Sequence, residues 1–133
     1  MVDGVVTVVG GVLIADGRLL LGLRAPHRRS FPNCWDVLGG HVEPGESAVE
    51  ALARELAEEI GITEPAMMPL QTFDFSDVAD GQSRLHLFRV DAWRGTPTML
   101  GDEHVDLRWF QPHEAAALSN LAAAQYAPIF AAL

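Results

Sequence analysis

Residues 40–62 read GHVEPGESAVEALARELAEEIGI, and this stretch decides the fold. It reads as a tight loop followed by one helix. Ser47 suits the N-cap, and Glu50 three residues later completes a capping box. Gly61 suits the helix end, where the chain must turn left-handed. At about 100° per residue, Val49, Leu52, Ala53, Leu56 and Ile60 share one stripe, which is the expected buried face. Glu55, Glu58 and Glu59 fall together on its flank, because residues three and four apart are neighbours on a helix. Three carboxylates therefore line the edge of a core-facing surface.

That arrangement works against the helix. Like charges at these spacings cost roughly 0.2–0.5 kcal/mol per pair. Glu58 and Glu59 also sit at the negative end of the helix dipole, where a cation is preferred. A solvated acidic face is the ordinary explanation for such a run. It is weaker here, because Arg54 is the only cation in the helix and no Lys offsets the acids. Clustered carboxylates on a rigid helix suit a hard divalent cation. Mg2+ takes oxygen ligands and bridges one or two carboxylates to substrate phosphates. Mg2+ is the expected cofactor, with Mn2+ as the substitute.

Gly40, five residues, Glu46, seven residues, then Arg54-Glu55-Leu56-Ala57-Glu58-Glu59-Ile60-Gly61-Ile62: this spacing resembles the Nudix box at every defined position. The motif is long, and a chance match is far rarer than for a short glycine-rich motif. Nudix hydrolases cleave the diphosphate linkage of a nucleoside diphosphate joined to a further group. The resemblance implies catalytic roles for Glu55, Glu58, Glu59 and Arg54. It puts the three Glu residues at the metal site, with the Gly39 carbonyl as a backbone ligand, and gives Gly40 and Glu46 supporting roles. One of the Glu residues is expected to help deprotonate the attacking water. Which one is left open, because neighbouring carboxylates titrate as a unit.

The flanks fit around the box. Val5–Ile14 reads as a Val-rich strand with Gly10-Gly11 inside it, and Asp16-Gly17 is a hairpin turn leading to a second strand through Leu23. Residues 24–33 form a polar loop that holds three of the nine arginines. Trp35–Leu38 reads as a short strand entering Gly39-Gly40, where many family members have Pro-Gly-Gly. After the box helix come strands over Met67–Phe75 and Ser83–Trp93, then a loop over 95–104 and a strand over Val105–Phe110. Pro112 opens a short helix through Leu118, and Leu121–Leu133 reads as a closing helix broken near Pro128. Strands around a box helix plus C-terminal helices suggest an α/β (α+β) chain. It would be a mixed β-sheet packed between helices, in one domain over residues 1–133, which is also the fold that the resemblance implies.

Composition bounds the function. With 133 residues and 49% hydrophobic content, one compact domain is expected. A net charge of −9 argues against a nucleic-acid duplex or an anionic membrane as partner. It leaves a small nucleotide open, since a bound metal inverts the local field. All nine cations are Arg, which removes Lys chemistry. Cys34 is the only cysteine, so no internal disulfide is expected. No secretion signal or membrane-spanning run is read, and a cytoplasmic monomer or homodimer is the default.

Further candidates lie outside the box. Many members carry another acidic ligand in the region of GDEHVDLRWF, residues 101–110; the role falls to Glu103, with Asp102 and Asp106 as competitors. Arg24 closes the second strand and is placed to reach substrate phosphates. Phe31 and Phe75 are candidates to stack on a base. In members that read oxidised guanine, a side-chain amide near the C-terminal helix contacts the base, a role open to Asn120 or Gln125. Arg28 and Arg29 read as solvated loop charges, and His41 and His104 flank the expected site, where phosphate contact and a solvent-facing loop position are the two readings. Members selective for ADP-ribose tend to have a Pro past the box, and dinucleoside polyphosphate members a Tyr; residues 73–80 hold neither. The expected substrate is a nucleoside triphosphate, oxidised or not, cleaved to the monophosphate and pyrophosphate. ADP-ribose, nucleotide sugars and dinucleoside polyphosphates are the alternatives, and a non-catalytic nucleotide-binding module is the alternative of another class.

Overall fold

The computed structural model describes residues 4–133. Ten elements follow in order: β1 (Val6–Ala15), β2 (Arg18–Arg24), β3 (Trp35–Asp36), β4 (Leu38–His41), α1 (Ala48–Ile60), β5 (Thr63–Asp77), β6 (Gly81–Arg94), β7 (His104–Phe110), α2 (Pro112–Ala116) and α3 (Tyr126–Ala131). The strands form one mixed sheet in the order β3-β2-β1-β6-β5, with β4 also on β1 and β7 also on β2. β1 is the hub. It runs parallel to β6 from Val6 to Leu13 and antiparallel to β4 from Val8 to Gly11, then turns back into β2 at Ile14–Ala15.

Side chains alternate faces along a strand, and here both faces are buried. Val12, Leu19, Leu21, Leu85 and Leu87 pack on one face with Tyr126, Ile129 and Phe130 from α3. Val9, Leu13, Leu20, Phe88 and Val90 pack on the other with Leu52, Leu56 and Ile60 from α1. The sheet therefore lies between α1 and the C-terminal helices. Fully burying one such aliphatic side chain contributes about 1.5–3 kcal/mol, so α1 is held to the sheet mainly by Leu52, Leu56 and Ile60.

The local devices of α1 form as the sequence predicts. Ser47 Oγ accepts from the Glu50 N–H, Glu50 reaches back to the Ser47 N–H, and Gly61 ends the helix at φ 70°. Two residues of the expected stripe are not buried: Val49 is 50% exposed and Ala53 is only partly covered. Ala51 and Glu59 are buried instead, so the covered face is rotated toward the side that β7 and β4 close.

Three expected boundaries shift for backbone reasons. The strand expected over Trp35–Leu38 splits at Val37: Trp35–Asp36 pair with β2, whereas Leu38–His41 pair with β1. β5 is longer than expected and contains Pro65 and Pro69. It tolerates them because it pairs only with β6 and its register shifts around both prolines. The closing helix begins only at Tyr126. Asn120 O accepts from Trp35 N–H and Ala122 N–H donates to Trp35 O, so this segment runs extended along β3 and satisfies its edge. No helix among the described residues is long and apolar enough to cross a membrane.

Candidate active site

The C-terminal half of α1 faces β4 and the start of β7, and the acids of the box converge there. Glu59 is only 7% exposed. Its Oε1 accepts a hydrogen bond from the Gly39 N–H at 2.9 Å. Glu59, Glu103 and His104 each bring a ligand atom within 4.8 Å of the others. Burial pushes Glu59 up to about 10, and the charges of Glu103 and Glu55 add to the rise. Burial also raises Glu55. Burial raises Glu103 too, but Arg28 and the Glu59 proton outweigh it and leave Glu103 below the usual carboxylate range. Crowded, partly buried carboxylates of this kind fit a cation, and the mainly oxygen donor set favours a hard divalent one.

Glycines make this convergence possible. Gly39 lies opposite Gly10, and a Cβ there would overlap the Val9 carbonyl. A Cβ on Gly40 would overlap the Glu55 carboxylate. A Cβ on Gly22 would stand 2.6 Å from the His104 ring, so the glycine in β2 gives that ring its seat. His104 is buried as the first residue of β7, and burial with the nearby Arg24 charge drives it down to about 4. That shift favours the neutral imidazole, and its Nδ1 lies 3.9 Å from Glu59 Oε2.

Arg54 ties the box together. Its Nε and Nη2 donate to the two Glu46 oxygens at 2.7 and 2.9 Å, a bidentate pair. Nη1 donates to Glu55 at 3.0 Å and to Glu58 at 3.2 Å, and Nη2 also reaches the His41 carbonyl. These hydrogen bonds hold Glu46 down at about 2. Glu58 is the outermost acid, with a 59% exposed side chain. The loop of residues 41–47 is thus clamped onto the helix face that carries the acids.

A pocket opens beside the cluster, and Arg24, Arg28, Phe31, Asp36, Phe75 and Tyr126 also line it. The Phe31 and Phe75 rings lie against each other, tilted at 52° with centroids 6.1 Å apart. Phe31 holds φ 50°, a left-handed conformation that a bulky side chain rarely takes. Arg24 Nε donates to the Ser30 carbonyl, and its Nη1 lies 3.6 Å from Asp36. The β5–β6 turn closes the rim: Ser30 Oγ donates to Asp77, and the His41 ring sits 2.6 Å from Asp80.

The structure brings together Arg24, Phe31, Gly39, Gly40, Arg54, Glu55, Glu59, Phe75 and Glu103 around one pocket. Asn120 and Gln125 stand outside its lining; Asn120 donates to the Asn33 carbonyl and Gln125 to the Asp74 carbonyl. Arg28 is not the solvated charge that the sequence suggests, because it donates to Glu103 at 2.8 Å. Asp36, Tyr126 and the burial of His104 were not foreseen. The signals were a carboxylate inside the apolar run of residues 35–38 and a lone glycine inside the apolar run of β2.

The NUDIX domain model matches residues 5–133. The chain belongs to the Nudix family. It is similar to the CTP pyrophosphohydrolase of Escherichia coli (strain K12), at 36% identity over 110 residues, covering 83% of this chain and 78% of the relative. Nucleoside triphosphatase NudI of Salmonella newport is 32% identical over 120 residues, covering 83% and 84%. Among solved structures, the MutT NUDIX hydrolase from Burkholderia pseudomallei superposes with a TM-score of 0.81 at 26% identity, over 95% of each chain. This Nudix protein is a hydrolase of acid anhydrides in phosphorus-containing compounds, and the mixed sheet between helices is its family's fold.

Proposed function

We propose that this Nudix hydrolase converts a nucleoside triphosphate to its monophosphate and pyrophosphate. The observation that carries the reading is the burial of Glu59 against Glu103, with Glu55 close enough to act on it, in a pocket that two aromatic rings also line. The relatives named for CTP and nucleoside triphosphate hydrolysis support the substrate class. So does the lack of a Pro or Tyr over residues 73–80.

Glu55, Glu58, Glu59, Glu103 and the Gly39 carbonyl would hold a divalent cation, Mg2+ in this reading. When bound, it neutralises phosphate oxygens and lowers the pKa of a bound water. The chain supplies the rest. Arg54 fixes Glu55 and Glu58 so that the acids keep one geometry, and Glu46 fixes Arg54. Gly39 orients Glu59 through its N–H. The carboxylate cluster accepts the proton of the attacking water as a coupled set. Arg24 offers its guanidinium to the phosphates, and the Phe31–Phe75 pair offers the base an aromatic surface to pack on. The new P–O bond forms from water to phosphorus as the P–O bond to the leaving pyrophosphate breaks, and positioning with charge neutralisation provides most of the acceleration. The reaction is placed in the cytoplasm.

The test is product release with excess Mg2+ across nucleoside triphosphates, oxidised dNTPs, ADP-ribose, nucleotide sugars and dinucleoside polyphosphates, with Glu59→Gln as the blank. Pyrophosphate from a triphosphate, absent in the blank, is expected. Orthophosphate as the product, or turnover confined to ADP-ribose, would overturn the reading.

A further inference from the structure

An arginine side chain has several rotors, and they must be fixed before its guanidinium can aim at anything. β2 ends at Arg24, and a loop follows to Cys34. Backbone bonds close the loop at its base: the Arg24 N–H donates to the Cys34 carbonyl at 2.9 Å, and the Asn33 N–H to the Arg24 carbonyl at 3.1 Å. The Arg24 guanidinium folds back onto this loop. Its Nε donates to the Ser30 carbonyl at 2.8 Å, whereas its Nη1 lies 3.6 Å from Asp36 Oδ2, beyond hydrogen-bond length. Among the described residues, the Ser30 carbonyl is therefore the hydrogen-bond acceptor that orients the planar group. Held at Nε, the fork keeps its Nη edge in one direction, and Arg24 lines the pocket.

That carbonyl can orient Arg24 only if Ser30 itself stays in place. Ser30 Oγ donates to Asp77 Oδ1 at 2.5 Å, a charge-assisted bond between residues 47 apart in sequence. The same oxygen accepts from the Ala79 N–H at 2.7 Å and the Asp80 N–H at 3.3 Å. Asp80 in turn contacts the His41 ring on β4. Asp77 is thus a fixed post at the tip of the β5–β6 hairpin. Apolar packing does not hold this tip, because Val78 is 84% exposed there. The polar bonds hold it, and the bond to Ser30 is the one that reaches the loop. Phe31 also touches Phe75 on the same hairpin. That aromatic contact keeps the two elements together but does not fix the direction of the Ser30 carbonyl.

We infer that Asp77 is a positioning residue for the substrate: through the Ser30 hydroxyl it fixes the Ser30 carbonyl, and that carbonyl aims the Arg24 guanidinium at the phosphates. The β5–β6 hairpin thereby sets how tightly the phosphates are held and leaves the chemical step to the box. This inference rests on the triphosphate reading, which gives Arg24 to the phosphates, and adds to it the residues that aim Arg24.

Ser30→Ala is the central test, because it removes the hydroxyl, keeps the carbonyl and changes no charge. With CTP and saturating Mg2+ it is expected to raise KM by about ten-fold, the loss of one hydrogen bond to a charged group, and to leave kcat near the wild-type value. Asp77→Ala should raise KM as much. Asp77→Asn keeps the acceptor oxygen and should raise it less. In an Arg24→Gln background, Ser30→Ala should raise KM no further, because the group it aims is gone. A merely structural clasp would lower the melting temperature and act alike in both backgrounds. An unchanged KM in Ser30→Ala, a loss confined to kcat, or an equal further rise in the Arg24→Gln background would overturn the inference and leave the triphosphate reading standing. If Asp77→Ala does not fold, Ser30→Ala in the two backgrounds decides. If the wild type hydrolyses no triphosphate, that reading fails, and calorimetry with inorganic pyrophosphate and Mg2+ decides the clasp by itself: weaker binding by Ser30→Ala than by the wild type supports it, and equal affinity overturns it.

Discussion

The two ends of the pocket are built in different ways. The box end comes from one continuous run of sequence. α1, its caps and the preceding loop place Arg54, Glu55, Glu58 and Glu59, and Arg54 locks the loop to the helix through Glu46. The rest of the lining, which the proposed function gives to the base, is assembled from separate places: the loop with Phe31, the two-residue strand with Asp36, the β5–β6 hairpin with Phe75, and Tyr126 on α3. Chemistry shared by a whole family needs one fixed geometry, and a short motif on a rigid helix provides it. Specificity needs surfaces that vary independently, and loops on a rigid scaffold provide those.

If the two ends divide the work in this way, damage to the box should cost turnover on every nucleotide alike. Glu59→Gln is expected to lower kcat by about 10²–10⁴-fold. The CTP:UTP ratio should stay where it was, and the fold should survive, because a neutral side chain suits the buried site at least as well. Steady-state kinetics on both nucleotides checks this, and a changed ratio would break the division. Arg54→Lys should cost less, about 10–100-fold in activity or metal affinity. A point charge cannot make the fork to Glu46 and also hold Glu55 and Glu58. Metal titration of activity separates the two losses.

Damage to the base end should appear in KM. Phe31→Gly removes one ring of the tilted pair and is expected to raise KM for the triphosphate by about ten-fold, in line with about 1–3 kcal/mol for stacking on a base. It should leave the unfolding midpoint near the wild-type value, because Gly takes φ 50° without the cost that Phe bears there. Kinetics and thermal melting read the two effects separately. A loss confined to kcat would show that Phe31 serves the box rather than the base.

The same contrast explains how much the sequence revealed. The box was legible because its signals are local: a capping box at Ser47 and Glu50, a left-handed glycine at Gly61, and acids three and four apart. Its tertiary setting was not. Val49 sits on the predicted stripe yet faces solvent, while Glu59 is buried, because β7 and β4 cover the helix from a direction that periodicity cannot give. His104 reads as a loop residue, but pairing between β2 and β7 draws it into the core opposite Arg24. The helix expected over residues 121–125 lost to a long-range demand, the unpaired edge of β3 at Trp35. Asn120 and Gln125 were judged by chain position alone, and backbone carbonyls elsewhere hold both.

The least expensive comparison of the two ends uses pH and needs no mutation. Without metal, Glu59 is protonated in the folded chain up to about 10, whereas in the unfolded chain it ionises near its ordinary value of 4.5. Between those values the native state binds one more proton than the unfolded state, so stability falls as pH rises, by at most about 1.4 kcal/mol per pH unit. His104 acts in the opposite sense. Its folded value of about 4 lies below its ordinary 6.5, so its contribution is lost as pH falls through that interval and is complete above it. The two effects oppose each other below about pH 6.5, and above it the His104 effect is complete while the Glu59 slope remains. Denaturant unfolding of metal-free protein at pH 7, 8 and 9 should therefore show declining stability. Saturating Mg2+ should flatten that decline, because a cation on the cluster stabilises the ionised carboxylate. A base-end ligand such as CMP, added without metal, should raise stability at each pH and leave the slope as it was. A slope that Mg2+ leaves untouched would mean that the cation binds away from Glu59, and the box end would then have to be rebuilt around Glu55 and Glu58.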